Sequence, residues 1–161
     1  MRDVLIIGIA CAAAILLGAW LYFSDPHVTG QSDVPAFTIL DEGMYSGEVT
    51  ERKNYRIKSQ EELEALWLLV HGTGAPTNVD FARSEVIAVF DGTHATGGYG
   101  ISIASVADVA GSPRVITILH TEPGTSCLTT DAISSPYQIA IVSKSAAPLT
   151  REEETIVTEC N

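Results

Sequence analysis

The run from Val79 to Gly100, VDFARSEVIAVFDGTHATGGYG, constrains the fold more than any other stretch of the chain. Ser84 to Phe90 is rich in β-branched and aromatic residues, long enough for a buried strand and too short for a helix. Asp91-Gly92 closes it with a turn dipeptide. Thr96-Gly97-Gly98-Tyr99 then lets the backbone take φ > 0, at one glycine or the other, steering the chain into a second strand where Ile101 and Ile103 resume a period of two. A polar tip, Thr93 to Tyr99, is left between two apolar segments.

Further strand candidates follow at Tyr99–Val106, Arg114–His120, Gln138–Ser143 and Glu154–Glu159, and two precede, at Phe37–Leu40 and Glu51–Ile57. Asp41-Glu42-Gly43 reads as a turn. Tyr55 and Ile57 share one face of an edge strand, with Arg52, Lys53 and Arg56 directed to water. The one clear helix of the soluble part starts at Ser59, an N-cap with Glu61 and Glu62 in the first turn. Leu63, Leu66, Trp67 and Val70 form its apolar stripe, and Gly72 and Gly74 stop it. The connections are too short for crossover helices, so neighbouring strands are expected to be antiparallel. The expected fold is α+β and mostly β: an antiparallel β-sandwich or partly open barrel with one packed helix.

Ahead of this domain, residues 4–23 (VLIIGIACAAAILLGAWLYF) carry no charge. Twenty residues at about 1.5 Å each span roughly 30 Å, the thickness of a bilayer core. Trp20 and Tyr22 would sit at its far interface, and no small-x-small cleavage site follows. The expected organisation is a single transmembrane anchor over 1–23, a polar linker over 24–34, and a β-rich domain over 35–161. With Arg2 the lone basic residue before the span, the domain is expected outside the cytoplasm, on the cell membrane.

Nine Lys and Arg against twenty Asp and Glu give a net charge of −11, which argues against nucleic acid as a partner. The catalytic search finds no G-x-S-x-G, H-E-x-x-H, C-x-x-C, phosphate-loop or dinucleotide motif. His27, His71, His94 and His120 lie on four separate elements, where structural or solvated roles are expected. No metal, cofactor or catalytic residue is expected, and Cys127 paired with a histidine is rejected as a nucleophile. Cys11 lies within the span, which leaves Cys127 and Cys160 free to pair as a disulfide in an exported domain.

Several of these strings together resemble one family. Val79-Asp80-Phe81, Val86 to Gly92 and Thr96-Gly97-Gly98-Tyr99-Gly100-Ile101 look like the PrcB C-terminal domain family, as do Glu122-Pro123-Gly124, Cys127 and Ser134-Ser135-Pro136-Tyr137. Ser134 stands where that family usually shows threonine. Arg52 to Ile57 and Glu62 to Trp67 fit its opening strand and helix, so the likeness covers about residues 45 to 145. The family is named for an accessory subunit of a bacterial cell-surface protease complex. The resemblance implies a non-enzymatic, membrane-anchored domain that binds another protein, such as a surface protease, through Thr93, His94, Thr96, Gly97, Gly98, Tyr99, Pro136 and Tyr137. A looser likeness, to immunoglobulin-like inhibitors of cysteine proteases, rests on a Thr-Gly-Tyr-type loop. It implies instead an inhibitor acting through Thr96 to Tyr99, although the extra glycine departs from that pattern.

Overall fold

The computed structural model describes residues 37–108 and 110–160. The proposed anchor and linker, 1–34, lie outside the described residues. Among the described residues no helix is long and apolar enough to cross a membrane.

The elements run β1 (Phe37–Gly43), β2 (Lys53–Ile57), α1 (Gln60–His71), β3 (Ser84–Phe90), β4 (Gly100–Ala107), β5 (Arg114–Pro123), β6 (Tyr137–Ser143) and β7 (Leu149–Thr158). Two sheets result, one ordered β1-β6-β3-β2 and the other β4-β5-β7, and neither closes into a barrel. The helix covers the outer face of the first sheet, giving three layers and two cores.

The continuous apolar sequence of β3 has a direct cause. Val86, Ala88 and Phe90 pack with Leu63, Leu66 and Val70 of α1, while Ile87 and Val89 pack with Ile101, Ile103, Ile116 and Ile118 of the second sheet. A strand buried on both faces has no polar positions to alternate. Full burial of each large side chain is worth about 1.5–3 kcal/mol, so β3 anchors both cores.

Helix α1 forms as its caps prescribe. Ser59 Oγ accepts from Glu62 N at 3.2 Å, and Gly72 ends the helix at φ 70°, its N–H donating to Leu68 O. Of the expected stripe, Leu63, Leu66 and Val70 are buried, while Trp67 lies at the margin, its ring 4.3 Å from that of His71.

Three expectations are corrected and an open one is resolved. Asp41-Glu42-Gly43 is not a turn: β1 continues through it, and a register shift between Ile39 and Asp41 absorbs the irregular pattern. Arg56 does not face water: it forks onto Glu85, with Nε–Oε2 at 2.9 Å and a second nitrogen 3.0 Å from Oε1. The last strand is longer than Glu154–Glu159 and runs parallel to β5, from Arg114↔Leu149 to Pro123↔Thr158. The antiparallel expectation holds for hairpin neighbours, but here β6 joins the other sheet, so β7 returns to β5 in the same direction. Of the two hinge glycines, Gly98 is the one with positive φ (96°), and Gly97 is not.

Arg114 illustrates what an exposed-looking sequence position can hide. It is 1% exposed, and its guanidinium meets Glu85 at 2.9 Å and Asp108 at 2.8 Å. Hydrogen bonds donated to Asp108 hold the Arg114 cation firmly protonated, and the same bonds keep the Asp108 carboxyl below its usual range. Buried charges persist only when paired in this way.

Candidate functional site

Five strand ends meet at one end of the molecule. Gly43 of β1 and Phe90 of β3 both stand opposite Tyr137, which opens β6, and Gly100 of β4 stands opposite Thr121 of β5. The loops leaving these ends, 44–52, 91–99 and 124–136, are therefore neighbours by topology.

Backbone bonds stitch them together. Ser135 N donates to Met44 O at 2.9 Å, and a parallel bridge joins Tyr45 to Ser135. On the other side of the same segment, His94 and Ser134 exchange N–H···O bonds of 2.8 and 3.1 Å. Ser134 Oγ donates to Thr96 O at 2.8 Å, and Gly97 N donates to Thr130 O at 3.1 Å. The three loops form one continuous surface with the 128–135 segment in the middle.

The glycines are explained by this stitching. A Cβ on Gly97 would come within 2.5 Å of Thr130 Oγ1, so the residue is small because a neighbouring loop crosses it. Gly98 is required by its backbone angle as well as by Pro123, 3.0 Å from where its Cβ would lie.

Beneath the loop lies Asp91, whose side chain is 2% exposed. Its carboxylate accepts from His94 Nε2 at 2.7 Å, from His120 Nδ1 at 2.7 Å and from the Arg52 guanidinium at 2.8 Å. The His94 ring in turn stacks on Tyr99, centroids 3.8 Å apart and 7° from parallel. Two of the four histidines thus converge on one acid, against the sequence expectation that they would stay apart. The sequence signal was the Asp91–His94 spacing at the strand end; His120 alternates inward along β5 with Ile116 and Ile118.

Each expected site residue has a definite place. Thr93 is exposed, and His94, Thr96, Gly97 and Tyr99 are half-buried, with Gly98 at the surface. Pro136 and Tyr137, also expected among the binding residues, are buried. The Tyr137 ring stacks on Phe90, its hydroxyl donates to Asp41 Oδ2 at 2.8 Å, and burial pushes its pKa well above the usual tyrosine value. Cys127 and Cys160 are joined as a disulfide, tying the 124–136 loop to the end of β7. Cys127 therefore carries no free thiol. Among the described residues, no group of three or more His, Cys, Asp and Glu is placed to hold a metal.

Sequence reasoning missed the most exposed apolar part of this surface. Met44, Tyr45, Leu128 and Ile133 are 53%, 67%, 103% and 66% exposed, all on the stitched loops. Single exposed apolar residues are ordinary; four on adjoining segments are not. Their loops lack periodicity, so only the bridges Tyr45–Ser135 and His94–Ser134 reveal the grouping.

No curated protein and no solved structure gives a significant match to the chain. Residues 86–143, from within β3 to the end of β6 and including Asp91, the glycine loop and Cys127, match the family model described as PrcB C-terminal, the family that the sequence motifs resemble.

Proposed function

We propose that the domain is a non-catalytic binding module, anchored to the membrane by residues 4–23 and displayed outside the cell, that docks a protein of a surface protease complex. The observation that carries this reading is the set of four exposed apolar side chains, Met44, Tyr45, Leu128 and Ile133, on loops fixed to one another by backbone bonds. A rigid surface with apolar anchors loses little entropy on docking. The oxidised Cys127–Cys160 pair supports an oxidising, extracytoplasmic setting. The PrcB C-terminal match supports association with a protease complex.

Inhibition of a protease through Thr96 to Tyr99 is the competing reading. It requires those residues to project into a cleft, whereas the Tyr99 ring lies flat on His94 and Thr96 O is held by Ser134. A photo-crosslinking residue at position 45, introduced into the full chain in its own cells, tests the docking reading. One defined protein should be captured, and Leu128→Ser/Ile133→Ser should abolish the capture. Equal capture from a probe at Glu61, in the first turn of α1, would refute it.

A further inference from the structure

A second surface lies along β7. This strand ends its sheet, so one of its backbone edges has no strand beside it among the described residues. It runs ten residues, roughly 33 Å at strand rise, and pairs with β5 without a register shift. Natural sheet edges are usually guarded by brevity, bulges, proline or charged side chains; β7 lacks the first three, and its guard is a run of glutamates that would repel acidic strands only. The edge strand of the other sheet on this side, β2, is guarded: it has five residues, and its Arg56 also donates to Ala147 O and Ser145 O at 3.1 and 2.6 Å.

Between these two edges the sandwich is open. A cleft of about 170 Å³ runs between the sheets, floored by Ile87, Val89, Ile116 and Ile118 and rimmed by Asn54 and Arg151. Two buried polar atoms on this side lack hydrogen-bond partners: Asn54 Oδ1, and Nε2 of His120, whose side chain is 4% exposed. That imidazole nitrogen points toward the inner face of β7, 3.7 Å from Glu153 Oε2.

Charge decides what can pair there. β7 carries Glu152, Glu153 and Glu154 in succession, and all three are exposed. Two copies of the strand laid edge to edge would bring these runs together, and like charges facing across a strand pair are destabilising. The chain's net charge of −11 adds to that repulsion. A strand with basic side chains would be attracted by the same residues.

We propose that the free edge of β7 is an acceptor for an extended basic segment of a partner protein. That segment adds a strand to the sheet, sets lysine or arginine against Glu152 and Glu154, and turns an apolar side chain toward the cleft mouth near Arg151. Backbone bonds supply the affinity and the glutamates the selectivity.

The test uses the full chain and a ten-residue peptide of alternating lysine and valine. The peptide should protect the amides of residues 150–158 from hydrogen exchange. It should bind about tenfold more weakly to Glu152→Lys/Glu154→Lys, and to an intermediate degree to Glu152→Gln/Glu154→Gln, with affinity falling as salt rises. A peptide alternating glutamate and valine, or the lysine–valine peptide N-methylated at each valine, should not bind. Equal binding of the N-methylated peptide, protection confined to other strands, no binding at millimolar peptide, or self-association of the chain through β7 would each overturn the proposal. Met44, Tyr45, Leu128 and Ile133 stay intact throughout, so failure here is distinguishable from failure of the loop-docking reading.

Discussion

Replacing Asp91 by alanine removes the acceptor shared by His94, His120 and Arg52. The three losses are unequal. The Arg52 side chain is 49% exposed and regains water, so its share is small. His120 is 4% exposed and cannot recover a partner for Nδ1, which costs about 1–3 kcal/mol for an unsatisfied buried group. His94, 19% exposed, recovers part of its loss, roughly 1 kcal/mol being forfeited. The expected sum is about 2–4 kcal/mol. Since 1 kcal/mol shifts the midpoint of a domain this size by roughly 4 °C, thermal unfolding should fall by about 8–16 °C. Calorimetry on wild type and variant measures it. Exchange of the 93–99 amides should rise further than that of β3, because the same carboxylate holds His94 beneath Tyr99. Asp91→Asn should cost less, since its side-chain oxygen still accepts one bond. A shift under about 2 °C with unchanged loop exchange would refute the view that Asp91 fixes this loop.

Gly98→Val should destabilise by about 1–3 kcal/mol through its positive φ and the Pro123 contact, measured by urea unfolding. Gly97→Val should cost a comparable amount, and Thr130→Ala should relieve it in the double variant if Thr130 Oγ1 is the obstacle. Reducing the disulfide, or Cys127→Ser/Cys160→Ser, opens a loop of 33 residues and should cost roughly 3–4 kcal/mol by chain entropy. For pH, the raised Tyr137 pKa means the folded state holds its phenolic proton more tightly than the unfolded chain does. That stabilisation is full below about pH 10, the unfolded value, and declines as pH rises through and beyond it. Unfolding followed above that pH should therefore show a steeper loss in wild type than in Tyr137→Phe.

The sequence made β3, the helix and its caps legible because each is specified locally, by an apolar run in one case and by Ser59 and Gly72 in the other. The hinge between β3 and β4 was legible in part: Gly98 follows from its φ, but Gly97 answers to Thr130, a residue 33 positions away whose approach no local pattern encodes. Tyr137 is most simply read as packed inward at a strand entry, and it is core, its ring stacked on Phe90 on the helix side of the first sheet. The strand it opens, however, lies at the centre of the sheet and not at its edge. The buried Arg114–Glu85–Arg56 chain and the Asp91 hub were illegible. Charged residues read as solvated unless the partner's position is known. The parallel placement of β7 depends on where β6 goes, which is a choice of topology and not of propensity.

The route of the chain through β5, β6 and β7 has a consequence for how the domain comes apart. It visits the second sheet, leaves for the centre of the first, and comes back, so each sheet contains a strand that only the other's completion can deliver. A hairpin of β4 and β5 is the largest piece of the second sheet that local sequence can assemble, and two strands alone are marginal in water. Melting should thus be all-or-none, with no surviving half, and assembly slow, because its decisive contacts join residues far apart along the chain.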